Sequence, residues 1–267
     1  MLWIIQENLH NKYKYPEFLS AIERIGVDHI LVNPLPFTDT LVDEDTIEID
    51  DTKPIIISGA VSLGRVARRR GWKPGCFTEK DFEFEIWRDG YGKHNCLNGL
   101  ATVCTIGDAP QIKSEMFVRP LADNKAFNGE VMSVEQYQSW IGWYTNVPPT
   151  DEFQLLHKNT PILVSNPTNI YSEYRFFVVA GSIITASQYK LGQRVVYSSD
   201  VDNEAYEFVE KMIGRYTPAI AYVLDIAKTA NGCKIIEVNS INSSGFYAAD
   251  VQKIIMAIEE LTPLYQK

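Results

Sequence analysis

Residues 222–239 read YVLDIAKTANGCKIIEVN and are the most informative part of the sequence. Two apolar runs rich in β-forming residues flank Asn231-Gly232, a dipeptide typical of a hairpin turn. Asp225 interrupts the first run, and Glu237 and Asn239 interrupt the second. Because side chains two apart on a strand point to the same face, Glu237 and Asn239 project together, and Asp225 can face them from the neighbouring strand.

Two carboxylates and an amide on one face make an all-oxygen cluster, which suits Mg²⁺ holding the phosphates of a nucleotide. Alternating polar residues on a strand more often face water, and this is the alternative for Glu237 and Asn239. It is weakened because Asp225 and this pair interrupt apolar runs, where a charge is costly unless it is paired or bound to a metal. The hairpin therefore predicts a Mg²⁺-nucleotide site.

Composition narrows the class of protein. The chain has 267 residues, 45% of them hydrophobic, which is enough for a sizeable core in one large domain or two small ones. The net charge of -9 argues against a general nucleic-acid-binding protein. No apolar run approaches the length of a membrane span or of a signal-peptide core, so we expect a cytoplasmic protein without a membrane segment. Its four cysteines show no CxxC spacing and are expected to be reduced thiols.

The periodicity of apolar residues predicts an α/β (α+β) chain. In the first third, strands are expected at 2–5, 29–32 and 54–58, with helices beginning at Pro16 and after Gly59. Later strands are expected at 101–106, 116–119, 161–164, 174–179 and 183–187, and later helices at 80–88, 133–141, 203–215 and 248–261. The acidic segment 39–51, with seven carboxylates, is predicted to be a solvated loop.

A phosphate-binding loop of the P-loop type is not predicted. Residues 59–66 read GAVSLGRV, in which Arg65 and Val66 stand where the motif needs Lys and then Ser or Thr. The two glycines of this segment are better explained as turn and packing positions. The run Arg68-Arg69-Arg70 is expected to be a solvated helix end, where cations complement the helix dipole.

Three cations stand where a polyphosphate would need them. Arg119 ends a predicted strand, and Lys125 lies in the polar loop that follows it. Read alone, both are equally well explained as surface residues. Arg175 lies inside an apolar strand, so its guanidinium needs a carboxylate or phosphate partner. A structural salt bridge with Glu237 or Asp225 and a contact to metal-bound phosphates both satisfy that need.

Together these segments resemble the ATP-grasp superfamily. An acid on one strand, a turn and then Glu-x-Asn is similar to D-alanine–D-alanine ligase and its relatives. Arg119-Pro120 replaces the usual Lys-Pro, and with Glu-Tyr-Arg at 173–175 and Gly-Trp-x-Pro-Gly at 71–75 it resembles a divergent clade. That clade is named for two arginines and one lysine. It includes phage and bacterial proteins and a eukaryotic cell-division-cycle factor that assembles a translation initiation subunit.

The resemblance implies a fold and a set of site residues. Two α/β subdomains that clamp ATP are expected at 101–267, after an N-terminal α/β (pre-ATP-grasp) region at 1–100. Within the site, Mg²⁺ would be bound by Asp225, Glu237 and Asn239, the ATP phosphates by Arg119, Lys125 and Arg175, the adenine by Ile162, Val164 and Ser165, and the acceptor by Lys190, Ser243 or Ser244.

The resemblance also implies a reaction. ATP-grasp ligases activate a carboxylate as an acyl phosphate, which an amine or a thiol then attacks. The expected partners are ATP, a carboxylate donor and an amine acceptor, proteins and peptides included, in the host cytoplasm if a phage encodes the chain. One alternative is an ATP-binding assembly chaperone that releases little ADP. Another is a scaffold with a vestigial site, which the intact acidic trio argues against.

Overall fold

Three β-sheets organise the described part of the protein. The computed structural model describes residues 1–10, 16–42, 44–77, 82–121, 127–146 and 156–266. Within these ranges, no helix has both the length and the apolar character needed to cross a bilayer.

The N-terminal sheet is parallel and is covered on both faces. It consists of β1 (Leu2–Gln6), β2 (His29–Val32), β3 (Ile55–Ser58) and β4 (Pro74–Gly75), in the order β2-β1-β3-β4. Helix α1 (Pro16–Ile25) covers one face and α2 (Val61–Arg70) the other. Trp3 and Ile5 pack with α1, whereas Leu2 and Ile4 pack with α2. Burial of both faces explains why β1 is apolar throughout rather than alternating.

The middle sheet is antiparallel and lies against one long helix. It consists of β5 (Thr102–Thr105), β6 (Met116–Pro120), β7 (Glu130–Met132) and β8 (Pro161–Ser165), in the order β5-β8-β6-β7. Helix α4 (Val134–Asn146) begins after Ser133, whose hydroxyl accepts a hydrogen bond from the Gln136 backbone N–H, while the Gln136 side chain accepts one from the Ser133 N–H. This is the capping box that the sequence predicts.

The third sheet, the large sheet, is antiparallel and carries a helix on each face. It consists of β9 (Ile170–Val179), β10 (Ser182–Leu191), β11 (Arg194–Ser198), β12 (Ala221–Thr229) and β13 (Gly232–Asn239), in the order β11-β10-β9-β12-β13. Alternate residues of β12 face opposite ways. Tyr222 and Leu224 pack with α5 (Asn203–Ile213), and Ala221 and Val223 pack with α6 (Val251–Glu259).

Both hairpins predicted in this sheet are confirmed. The β9–β10 turn is Ala180-Gly181, and the φ angles of 48° and 75° are typical of a type I′ turn. The β12–β13 loop is Ala230-Asn231, one residue earlier than the Asn-Gly signal places it. Gly232 starts β13 with a φ of 82°, the position that favours glycine in a hairpin with a bulge.

Helix boundaries differ modestly from the sequence predictions. Helix α3 spans Phe84–Tyr91 rather than 80–88, and residues 80–81 lie outside the described ranges. Helices α5 and α6 are each a few residues shorter than predicted, as is usual where helix ends fray.

The first and last parts of the chain share one hydrophobic core. Phe18 and Ile22 of α1 pack in the same cluster as Ile254 and Ile255 of α6. This cluster therefore joins the proposed 1–100 region to the proposed 101–267 region.

Asn242 adds polar links between these regions. Its side chain donates a hydrogen bond to the Ile57 carbonyl (2.8 Å) and accepts one from the Phe77 N–H (2.8 Å), and its own carbonyl accepts one from the Gly59 N–H (2.9 Å). The segment after β13 is therefore held against the end of β3. This contact brings the polar end of β13 next to the start of α2.

Candidate nucleotide and metal site

Three charged residues form a row across the large sheet. Arg175 of β9 lies opposite Asp225 of β12, and Asp225 lies opposite Glu237 of β13. Directly opposed residues share a face of the sheet, and Asn239 joins that face because it is two residues beyond Glu237. The register of β12 and β13 shifts immediately after Asp225. Such irregularities redirect side chains and are common beside active sites.

Arg175 is engaged by Asp225 rather than left for a ligand. Its Nε and Nη2 donate hydrogen bonds to the two carboxylate oxygens of Asp225 at 2.8 and 2.7 Å, and its Nη1 donates to the Gly245 carbonyl at 3.2 Å. The rings of Tyr247 and Tyr189 lie 4.9 and 5.8 Å from the guanidinium carbon. The salt bridge, one of the two possibilities for Arg175, is therefore present in the fold.

Glu237 and Asn239 are coupled to this pair. The Asn239 Nδ2 donates hydrogen bonds to Glu237 Oε1 at 2.8 Å and to Asp225 Oδ2 at 3.4 Å. Burial, followed by repulsion from Asp225, raises the pKa of Glu237 above its ordinary value of 4.5. A cation near Glu237 would offset this penalty, so the local electrostatics fit a divalent metal. No described residue donates a hydrogen bond to Asn239 Oδ1, which suits a role as an oxygen ligand.

A cavity of about 610 Å³ lies where the three sheets meet. Glu237 and Asn239 line it from β13, Arg119 lines it from the end of β6, and Ser243 lines it from the loop after β13. The guanidinium carbon of Arg119 lies 5.0 Å from the centre of the Phe84 ring. The cavity therefore brings two oxygen-bearing residues and an arginine of the predicted site to one volume.

Other predicted site residues are placed elsewhere. Asp225 and Arg175 are buried behind the cavity wall and do not line it. Ile162 and Val164 pack in the core between the middle sheet and α4, because β8 is paired on both sides and turns these side chains away from the cavity. The Ser165 hydroxyl donates a hydrogen bond to Asn98 at 3.0 Å.

The residues predicted for the acceptor differ among themselves. Ser243 is exposed and lines the cavity. The Ser244 hydroxyl donates a hydrogen bond to the Ser240 carbonyl at 2.8 Å, and Lys190 forms an ion pair with Glu173 at 2.8 Å. Lys125, predicted to contact phosphate, lies outside the described residues.

Sequence reasoning missed a large part of the cavity wall. Arg65 and Arg68 of α2 and the aromatic residues Phe84 and Trp87 of α3 line the cavity opposite β13. The cationic pair is visible in the sequence, but its position depends on how the N-terminal sheet packs against the end of β13. Among the described residues, no three His, Cys, Asp or Glu side chains are arranged to hold a metal. A cation here would therefore also need Asn239 and ligand oxygens.

The family comparison assigns the C-terminal part of the chain. Residues 101–257, more than half of the sequence, match a family of ATP-grasp domains, namely family 2 of the clade whose name abbreviates two arginines and one lysine. No curated protein matches the chain by sequence.

Solved structures share the fold over almost the whole chain. The D-cycloserine synthetase DcsG matches with a TM-score of 0.58 and 11% identity, covering 97% of this chain and 98% of the synthetase. The D-alanine–D-alanine ligase from Bacillus anthracis complexed with ATP has a TM-score of 0.58 and 10% identity, with coverage of 99% and 98%. The ATP-grasp ligase PsnB complexed with minimal precursor, Mg and ADP has a TM-score of 0.54 and 11% identity, with coverage of 97% for both chains. The fold is therefore ATP-grasp.

Proposed function

Because the chain belongs to this second family of the two-arginine, one-lysine clade of ATP-grasp domains, we propose that it is an ATP- and Mg²⁺-dependent ligase that joins a carboxylate to an amine or a thiol. One observation supports this most directly. Glu237, Asn239 and Arg119 line the same cavity, so oxygen ligands for a cation and a guanidinium for a phosphate face a common volume.

In the proposed reaction, a substrate carboxylate oxygen attacks the γ-phosphorus of ATP and ADP leaves. The amine or thiol then attacks the acyl carbon, and phosphate leaves as the new bond forms. Mg²⁺, when bound, neutralises charge on the phosphates. Glu237 and Asn239 would hold it from β13, and Asp225 would act through Asn239, because both Asp225 oxygens already accept hydrogen bonds from Arg175.

Cationic side chains would supply the remaining charge stabilisation. Arg119 is placed to contact the phosphates, and Lys125, from the loop after β6, is proposed to join it. The part proposed for Arg175 is to fix Asp225 and the Gly245 carbonyl. No protein nucleophile is required, since positioning and electrostatics suffice for phosphoryl transfer.

The nucleotide base and the acceptor are assigned to opposite ends of the cavity. We place the adenine beside β8, where Pro161 lines the cavity and Ile162, Val164 and Ser165 follow it. Because the side chains of Ile162 and Val164 belong to the core, their contribution would be to hold the backbone of β8 in place. Ser243 is the acceptor-side residue with structural support, since its exposed side chain is on the cavity wall.

Thermal unfolding tests the site. Mg²⁺-ATP should raise the melting temperature of the wild type, because a ligand that binds only the native state stabilises it. Glu237→Gln should lose this increase, and EDTA should abolish it in the wild type. Glu210→Gln, an exposed position on α5, is the matched control and should retain the full increase. A full increase in Glu237→Gln would refute the proposed site.

Turnover tests the reaction. Incubation with ATP and mixtures of amino acids, polyamines and peptides should release ADP only when both a carboxylate and an amine are present. Mass spectrometry should then detect the condensation product. Tight Mg²⁺-ATP binding without ADP release under any of these mixtures would instead favour the assembly-chaperone alternative.

A further inference from the structure

Helix α2 carries four arginines, and the acidic segment 39–51 neutralises only two of them. Arg69 forms ion pairs with Glu44 and, at 3.8 Å, with Asp39. Arg70 forms ion pairs with Glu44 at 3.4 Å and with Asp51 at 3.0 Å. The acidic segment is therefore attached to the C-terminal end of α2 rather than simply solvated.

Arg65 and Arg68 are treated differently. Both are exposed, and neither forms an ion pair with any residue in the described ranges. Both line the 610 Å³ cavity, and both also line a second cavity of about 560 Å³ beside it. In a chain with a net charge of -9, two arginines next to an acidic segment yet unneutralised by it are suited to bind an anionic ligand.

The second cavity has an unusual aromatic residue in its wall. Phe37 is 93% exposed and has a φ of 63°, which a bulky side chain rarely adopts. Packing does not account for this conformation, because the ring contributes almost nothing to the core. Strained residues of this kind cluster at ligand-binding sites.

We propose, on the basis of the proposed ligase function, that the carboxylate substrate is an acidic peptide segment lying across α2. Two of its carboxylates would pair with Arg65 and Arg68, and its backbone would pass Phe37 in the second cavity. A further carboxylate of the same peptide would enter the first cavity, toward Glu237 and Asn239.

The spacing of the arginines supports a peptide. Residues three apart on a helix have side chains about 5–6 Å apart. Alternate side chains of an extended peptide lie on one side at roughly 6–7 Å, so an acid-x-acid pattern matches the two guanidiniums. A small dicarboxylic acid would fill only one of the two cavities that these arginines share. The net charge and Asp39 in the second cavity disfavour a nucleic acid.

Fluorescence anisotropy tests this inference with a labelled peptide of alternating Glu and Gly. In the presence of Mg²⁺-ATP, the wild type should bind it about tenfold or more tightly than the matching Gln-Gly peptide, because charge-assisted bonds to arginine are lost. Arg65→Gln/Arg68→Gln should lose this preference while keeping the Mg²⁺-ATP shift in melting temperature. Arg24→Gln/Lys211→Gln removes two exposed charges outside both cavities and should bind like the wild type.

Several results would overturn the inference. Equal binding of the Gln-Gly peptide by the wild type would do so without any variant, and so would unchanged affinity in Arg65→Gln/Arg68→Gln. Equally tight binding of single-stranded DNA of the same length would show a general polyanion surface instead. If Mg²⁺-ATP stabilises the wild type but the acidic peptide does not bind, only this inference fails. If Mg²⁺-ATP has no effect, the proposed function fails.

Discussion

Arg175 and Asp225 form a buried bidentate ion pair between β9 and β12, with N–O distances of 2.8 and 2.7 Å. The third guanidinium nitrogen binds the Gly245 carbonyl, so the same arginine connects the carboxylate row to the loop after β13. Asn239 then links Asp225 to Glu237. The order of these contacts makes Arg175 and Asp225 a support for the two residues that face the cavity.

Breaking this pair should destabilise the protein strongly. Asp225→Ala leaves a buried guanidinium without its carboxylate, which typically costs about 3–5 kcal/mol. Arg175→Met/Asp225→Leu removes both charges and should recover most of that loss. Urea unfolding of the single and double variants measures both effects. A cost below about 1 kcal/mol for Asp225→Ala would mean that the pair is solvated rather than buried, as for surface ion pairs.

Glu237→Gln should change how the stability of the ligand-free protein depends on pH. The pKa of Glu237 in the folded state is raised above 4.5, so the wild type loses stability as pH rises from about 4.5 through the folded pKa. The neutral variant escapes this penalty. It should therefore be more stable than the wild type at pH 7, and the difference should shrink toward pH 4.5.

Urea unfolding at both pH values measures this difference, with Glu210→Gln as the exposed control. A difference that does not vary with pH would contradict the raised pKa of Glu237. Loss of Mg²⁺-ATP stabilisation in the same variant would show that a residue can be costly to the empty fold and necessary to the site.

Arg119 should contribute to nucleotide affinity. Arg119→Gln removes the guanidinium that lines the cavity at the end of β6 and should weaken Mg²⁺-ATP binding about tenfold or more. Arg119→Lys keeps the charge but loses the planar fork, so its affinity should be intermediate. Calorimetric titration measures these dissociation constants. Lys113→Gln, an exposed position before β6, should bind like the wild type, and equal affinities for all variants would remove Arg119 from the site.

His10 should make the fold sensitive to mild acid. It is buried, its Nε2 lies 3.0 Å from the Ser58 hydroxyl, and burial lowers its pKa to about 4. Because the unfolded side chain has a pKa of 6.5, the unfolded state binds the proton first, and stability falls as pH drops from 6.5 toward 4.

This single group should cost on the order of 2 kcal/mol between pH 7 and pH 5. His10→Gln should lose less stability than the wild type over that interval, whatever its stability at pH 7. Equal losses in the two proteins would show that His10 is protonated as readily in the fold as in the unfolded chain.

Local patterns in the sequence predicted most of the elements and part of the site. The apolar periodicity identified α5 and α6, and the turn residues identified both hairpins of the large sheet. The placement of Glu237 and Asn239 on one face follows from the two-residue repeat of a strand alone. These predictions succeed because each depends on residues that are close together along the chain.

The sequence left open which partner Arg175 would take, and it did not indicate that Ile162 and Val164 would turn into the core. Both outcomes depend on which strands become neighbours.

By itself, the sequence determined the strands, the helices and the polar face of the terminal hairpin, since backbone geometry sets side-chain direction over a few residues. Only the tertiary structure decided that Asp225 would be held by Arg175 and that Arg65 and Arg68 would face β13 across a cavity. These contacts join residues far apart in the chain, and burial of the shared cores determines where they meet.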